Sequence, residues 1–352
     1  MGGKVTLSIE VELGWGVHDL DAAPHLSADG SAERAYLSRL LNCADALDVP
    51  ISFDVVGHLL QSACDGSHEG PHRDGWFDAD PGTDASVNPL FYAPEMVRDI
   101  VDRPSGHELC THTYSHVPCQ TVDEETVGWE LDRAQSQIET VTGSKTVSIV
   151  PPRHSRPSSE TLREAGIEIM RMSRDTSDKS RPGRLVELLY GPHPTFEPRL
   201  VDGVVETYCT AYPSLTSSAL PSGQRDPLAP FRLLPVRVRQ SLQRQYLSRA
   251  IDAAVETDGH CHLWCHLYDL SNQYQWPVVR SFLEELAARR DSGDVRVLTM
   301  AELNDDFRED EAADASYADG GADRPHAAER ADHPRLDDAT DHENKERVRV
   351  YD

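Results

Sequence analysis

Residues 5–16 read VTLSIEVELGWG. Val5, Leu7, Ile9 and Val11 alternate with other residues, the period of a β-strand with one apolar face. Glu10 and Glu12 close the stretch two residues apart, just ahead of Gly14 and Gly16. Side chains at i and i+2 of a strand share a face, so both carboxylates are expected to point together where the strand runs out into a loop. Like charges placed side by side repel, and a cation or a cationic side chain between them is the simplest compensation.

Moving outward, strand and helix patterns alternate. A helix is expected over 31–48, with Tyr36, Leu37, Leu40, Leu41, Ala44 and Leu47 at helical spacing, and a strand over 49–57. Residues 65–92 form a Gly-, Pro-, Asp- and His-rich insertion, long enough to serve as a rim or lid. A short helix at 94–102 and a strand at 107–112 come next. A helix over 121–143 follows, with Thr121 and Glu124 as a capping box and Gly143 as its stop. Further units are a strand at 146–150, a helix at 158–166 and a strand at 167–173. Residues 174–230 are loop-rich, with one short strand near 204–209. Helix 236–256, strand 260–266, helix 277–290 and strand 295–300 complete the series. Repeated βα units imply a parallel sheet with right-handed crossovers, hence an α/β fold. About seven units in this length favour a closed barrel over a doubly wound open sheet, and either places chemistry at the carboxyl ends of strands. The expected organisation is a catalytic barrel over 1–305, with insertions at 65–92 and 174–230. An acidic tail over 306–352 is too poor in large apolar residues to fold.

The chain has 352 residues and a formal charge of -26, from 60 acidic and 34 basic residues. Its lysines are Lys4, Lys145, Lys179 and Lys345, so arginine supplies the remaining basic charge. Such a surface excludes nucleic acid and anionic membranes as natural partners. A lysine-poor acidic shell remains soluble in concentrated salt, where screening removes its self-repulsion, which points to a halophilic source; a halophilic archaeon is the expectation. No leader-like start and no apolar run of spanning length is visible, so a cytoplasmic location without membrane insertion is expected. The seven cysteines lack a CxxC pair and read as reduced thiols, with Cys261 and Cys265 in the core rather than sharing a metal.

Three further strand ends carry chemical side chains. In HTYSH, His112 and His116 stand four apart; one helical turn would put both imidazoles on one face, suited to gripping one metal ion. The same spacing arises by chance among 16 histidines. VPPRHSRP sets Arg153 and His154 directly after a strand, where an arginine would orient or neutralise one carboxylate. In HLWCHLYDL, His262, Trp264 and His266 alternate, with His266 last. Together these suggest a site of two histidines and one carboxylate, with a second carboxylate as general base and another histidine as general acid. Such a site can hydrolyse an amide or ester.

These motifs in this order resemble the polysaccharide deacetylases, the NodB-homology group of carbohydrate esterases. The resemblance covers about 5–305 and rests on SIEVELGWG, HELCTHTYSH, VPPRHSRPSSETLREAGI and HLWCHLYDL, with FLEELAARRDSGDVRVLTMAEL like the family's closing helix and strand. It implies a distorted (β/α)7 barrel, one divalent metal, usually zinc, and removal of N-acetyl or O-acetyl groups from a polysaccharide or glycan precursor. On this resemblance His112, His116 and Glu12 would be the metal ligands and Glu10 the base. Arg153 would orient the base, and His266 would protonate the leaving amine. Trp15, His154 and Trp264 would contact the sugar. Glutamates separated by Val11 depart from the aspartates usual in the first motif, which leaves the base and ligand roles exchangeable. Arg156 also competes with Arg153. Hydrolysis of another non-peptide C–N bond, and a catalytically silent glycan-binding barrel, are the competing expectations.

Overall fold

β1 (Gly3–Val11) runs up the middle of the computed structural model, which describes residues 2–20, 25–174 and 193–319. It pairs in parallel with β2 (Ser52–Val55) on one side and β8 (His260–His266) on the other. From β2 the ladder passes through β3 (Glu108–Thr111), β4 (Ser148–Ile149), β5 (Ile169–Ser173) and β7 (Val204–Cys209) back to β8. The β1–β2 pairing closes this path into a seven-stranded parallel barrel of the (β/α)7 NodB type. β6 (Arg199–Val201) adds to β7 in antiparallel sense, and β9 (Val295–Val297) pairs with the start of β1.

The period-two pattern of β1 explains which face is which. Val5, Leu7, Ile9 and Val11 point outward into the main core, beside Leu37, Leu40 and Leu41 of the helix Ser31–Leu47. Ile251 of the helix Val236–Thr257 and Phe282 of the helix Trp276–Asp291 belong to the same core. Thr6, Ser8 and Glu10 therefore face the barrel interior, where Thr6 and Ser8 meet His260 and His262, each at 3.0 Å. The register sets Glu10 opposite His266 on β8 and Asp54 on β2. Parallel closure thus gathers strand-end side chains from distant sequence at one rim.

Several boundaries differ from the sequence reading, each for a local reason. The long helix is Glu124–Thr142, capped by Asp123 accepting from Thr126 N–H. Thr121 belongs to a preceding 3-10 turn and spends its hydroxyl on the Pro118 carbonyl, so the expected capping box does not form. Gly143 ends the helix at φ 84°, as expected. β6 accompanies the expected strand near 204–209, and residues 175–192 of that segment lie outside the described residues. The last helix, Met300–Asp319, runs past the boundary set at 305, because Met300, Leu303 and Phe307 pack with Cys110 and Val205. Residues 320–352 of the expected tail lie outside the described residues. All seven cysteines are free thiols, with Cys261 and Cys265 buried in the core. Among the described residues no helix is long and apolar enough to cross a membrane.

Candidate active site

The loop after β3 carries HTYSH without forming the helical turn that the spacing suggested. Thr113 and His116 adopt left-handed backbone, at φ 57° and 63°, a conformation costly for residues with a Cβ. A buried carboxylate holds the loop in that shape: Tyr114 and Ser115 N–H donate to Glu130 Oε2 at 2.8 and 2.7 Å. The result still brings His112 and His116 together, with ring centroids 5.0 Å apart.

Glu12 faces both of them. It follows β1 with helical backbone (φ -109°, ψ -35°), and its Oε1 lies 3.1 Å from Nε2 of His112 and 3.1 Å from Nε2 of His116. All three side chains are buried. The Nδ1–H of His112 donates to the Val150 carbonyl at 2.6 Å. In the neutral ring that bond leaves a lone pair on Nε2 aimed at a carboxylate, so a cation belongs between them or the ring is protonated. Burial opposes charge on His112, but Glu12 and Glu10 outweigh it and raise its pKa. Burial instead lowers that of His116, despite Glu12, and its Nδ1 has no hydrogen-bond partner among the described residues. Two imidazoles and one carboxylate within 4.8 Å of one another fit a divalent cation of the zinc type.

Glu10 is engaged differently. Its Oε1 accepts from Arg171 of β5, and its Oε2 lies 3.1 Å from Nε2 of His266. Burial favours the neutral acid, but Arg171 and then His266 hold the Glu10 carboxyl down at about 2. Arg171 is fully buried and also contacts Ser8 and, at 3.2 Å, Asp54. Burial pushes Asp54 up to about 7, only partly offset by that arginine, so Glu10 holds the larger share of its charge. Arg153, expected beside Glu10, instead binds Asp19 through two hydrogen bonds at the rim, one of 2.9 Å. Arg156 is likewise committed, to Glu206 at 2.8 Å. The sequence signal for Arg171 was a single arginine inside the apolar strand IEIMRMS, legible only once the barrel turns that face inward.

His266 stands between the two acids. Asp269, one turn on, accepts from its Nδ1 at 2.9 Å, while Tyr268 stacks on the ring with centroids 4.5 Å apart. Burial lowers its pKa, yet Glu10, Glu12 and Asp269 outweigh that and raise it well above the ordinary imidazole value. A protonated, oriented imidazole thus sits beside an ionised carboxylate at the mouth of the barrel.

The three residues expected to touch a sugar are placed unequally. Trp15 is fully buried, donates to the Phe91 carbonyl at 3.2 Å and packs on His58, so it offers no open platform. Trp264 is 3% exposed and lies under the Arg171 guanidinium, 4.7 Å from its ring centroid. His154, half-buried, meets Trp264 edge-on at 5.3 Å; burial and Arg171 lower its pKa to about 3, so it stays neutral.

Residues 25–170 match the family model for polysaccharide deacetylase. That stretch contains His112, His116 and Arg153 and omits Glu10, Glu12, Arg171 and His266. An uncharacterised 30.6 kDa protein of Geobacillus stearothermophilus is 25% identical over 130 residues, 37% of each chain. The match therefore spans well under half of that curated relative. Among solved structures, a Mycobacterium smegmatis protein named as a polysaccharide deacetylase superposes with a TM-score of 0.57 at 18% identity, covering 95% of this chain and 96% of that one. A Pseudomonas aeruginosa PAO1 protein of the same designation gives 0.53 at 15% identity, covering 87% and 91%. Puue allantoinase gives 0.52 at 14%, covering 86% and 88%. At such identities the deacetylase-type barrel is shared, and the chemistry has to be argued from the side chains.

Proposed function

We propose that this protein is a metal-dependent hydrolase that removes N-acetyl groups from a polysaccharide or glycan precursor. The observation that carries this reading is the position of Glu12 Oε1, equidistant from two imidazole nitrogens beside a second carboxylate paired with a buried arginine. Glu12, His112 and His116 would hold the divalent cation, zinc by donor set. Bound there, it would polarise an acyl carbonyl and lower the pKa of water. Glu10, kept anionic by Arg171, accepts the proton of the attacking water. His266, kept cationic and oriented by Asp269, donates from Nε2 to the departing amine. Because Glu10 Oε2 and His266 Nε2 lie 3.1 Å apart, a proton taken up at one is adjacent to the other. Trp264 packs against the arginine, and His154, neutral beside Trp264, would contact the acyl-bearing sugar.

A silent binding barrel would have no use for this arrangement. Buried acids converging on one point are costly unless a reaction or a cation employs them. Acetate release from N-acetylglucosamine oligomers, measured in molar salt with zinc supplied, tests the proposal. Activity in the wild type that Glu10→Gln and His112→Ala abolish supports it. Stoichiometric zinc without acetate release, alongside turnover of a cyclic or linear amide that is not a sugar, would transfer the same machinery to another C–N bond.

A further inference from the structure

The 65–92 insertion, expected only as a rim or lid, joins residues just ahead of it in a second set of donors that the hydrolytic chemistry does not use. His58 follows β2 on the 3-10 turn Gly57–Leu60, Cys64 stands directly ahead of the insertion, and His68 and Asp80 come from the insertion itself. One donor atom from each lies within 4.8 Å of the others. Asp80 Oδ2 is 2.6 Å from Nε2 of His68 and 3.3 Å from Nε2 of His58, and Cys64 Sγ is 3.6 Å from the same His68 nitrogen. The side chains of His58 and Asp80 are wholly buried, and that of His68 is 4% exposed.

The surroundings of each donor point inward. His58 Nδ1–H donates to the Phe91 carbonyl at 3.4 Å, which leaves the Nε2 lone pair directed at a carboxylate with no hydrogen bond between them. A buried lone pair facing an anion calls for a cation between them or a proton on the ring. Asp80 Oδ1 is occupied by the Tyr92 hydroxyl and by Gly82 N–H at 3.1 Å, so Oδ2 alone is presented to the cluster. Burial, joined by Asp80, raises the pKa of the Cys64 thiol, and Gly66 N–H, which donates to Sγ at 3.4 Å, opposes this only in part. Phe77 stacks on His68 at 4.1 Å and Trp15 packs on His58 at 4.4 Å, fixing both rings. Outer contacts of this kind orient the ligands of metal sites.

We infer that His58, Cys64, His68 and Asp80 form a second, structural metal site that takes zinc and fastens the insertion to the barrel. Two imidazoles, one thiolate and one carboxylate make a closed tetrahedral set, and the soft sulfur selects zinc over magnesium or calcium. Bond lengths of about 2.0–2.3 Å place tetrahedral ligands roughly 3.3–3.8 Å apart; the His58–Asp80 and Cys64–His68 separations of 3.3 and 3.6 Å match this, whereas the direct His68–Asp80 contact of 2.6 Å would open to admit the ion. The site has a consequence for the first one. Trp76 of the same insertion donates to Ser115 Oγ at 2.8 Å, between His112 and His116. A fastened insertion therefore braces the loop that carries both histidines.

The sulfur makes the site separable from the Glu12 centre, which has no thiolate. Full-length protein is stripped of metal and titrated with cobalt(II) and with zinc. The expected wild-type result is two metals per chain and a thiolate-to-cobalt charge-transfer band. Cys64→Ser should lose the band and one metal, and His112→Ala should keep the band and lose the other. Absence of the band in the wild type at saturating cobalt overturns the inference without any variant. Persistence of the band in Cys64→Ser overturns it as well, by assigning the sulfur elsewhere. Failure of the Glu12 centre would show as loss of one metal with the band intact, so the two readings fall separately.

Discussion

Arg171, in the middle of β5, donates to the carboxylate of Glu10 at the end of β1 from 161 positions away in the sequence. The guanidinium rests on the Trp264 ring and also contacts Ser8 and Asp54. An arginine held on several sides with no exposure cannot swing to an alternative partner, so the charge of Glu10 is set first from inside the barrel by Arg171, with His266 at the mouth adding to it.

Replacing that arginine should therefore be far more harmful than replacing Arg153. Arg171→Met leaves Glu10 and Asp54 buried without their cation, a change that costs about 3–5 kcal/mol for a broken buried pair. Loss of the base's fixed charge should lower kcat by roughly 10²–10⁴-fold. Arg153 has a side chain 36% exposed and bound to Asp19, so Arg153→Ala should stay within several-fold of wild type and melt at nearly the same temperature. Thermal melts and kcat on the acetylated substrate give both readouts. An inactive Arg153→Ala beside an active Arg171→Met would reverse the assignment.

The two glutamates should separate into different phenotypes. Glu10→Gln keeps the shape of the pocket and all three donors of the Glu12 centre, so bound zinc should be retained while kcat collapses. Glu12→Gln removes the anion facing His112 and His116, so zinc affinity should fall by 10-fold or more, with activity partly restored by excess metal. Metal content measured beside turnover distinguishes them. The reverse pattern would exchange base and ligand, the ambiguity that replacing aspartate by glutamate introduces.

The pH dependence follows from His266. Burial lowers its pKa, but Glu10, Glu12 and Asp269 outweigh this and raise it, so the catalytically required cation persists through neutrality and is lost as pH climbs through the raised value. Glu10 is held at about 2 and contributes no loss on the acid side near neutrality. The kcat/KM profile should thus carry an alkaline limb. Asp269→Asn removes one of the anions that raises His266 and should move that limb toward lower pH by roughly 1–3 units. A limb that stays in place would remove His266 as the acid.

Much of this was legible in the sequence, and what was not has a common cause. The alternation in VTLSIEVEL set the first strand and its inward carboxylate, and the order of βα units led to the barrel. Strand-end position, the spacing of HTYSH and the family resemblance together singled out His112, His116 and His266. The roles that escaped depend on which face a residue takes. Arg171 and Asp54 sit inside strands that read as apolar runs, and only barrel closure turns them toward Glu10. Trp15, expected on the resemblance to contact the sugar, is turned into the core by the 3-10 turn Leu13–Val17. The His58–Asp80 cluster was hidden because its donors are spread over an irregular loop, without a spacing that marks metal ligands.

Glu130 offers the sharpest check on how the histidine loop is held. It is fully buried on the helix Glu124–Thr142 and accepts from Tyr114 N–H, Ser115 N–H, the Ser115 hydroxyl and His72. Those bonds substitute for the helical turn that HTYSH does not make, and they offset the left-handed conformations at Thr113 and His116. Glu130→Ala orphans several buried donors at about 1–3 kcal/mol each, so a fall of several kcal/mol in stability is expected. Glu130→Gln is the finer probe. Its carbonyl oxygen still receives the two backbone N–H groups, but its amide turns a donor toward Ser115 and His72, both of which donate to the carboxylate. The loop should survive with its histidines displaced, lowering zinc affinity by roughly 10–100-fold, the usual cost of losing an outer contact. Metal titration and thermal unfolding of both variants test this, and unchanged affinity in Glu130→Gln would show that the loop holds its shape without the carboxylate.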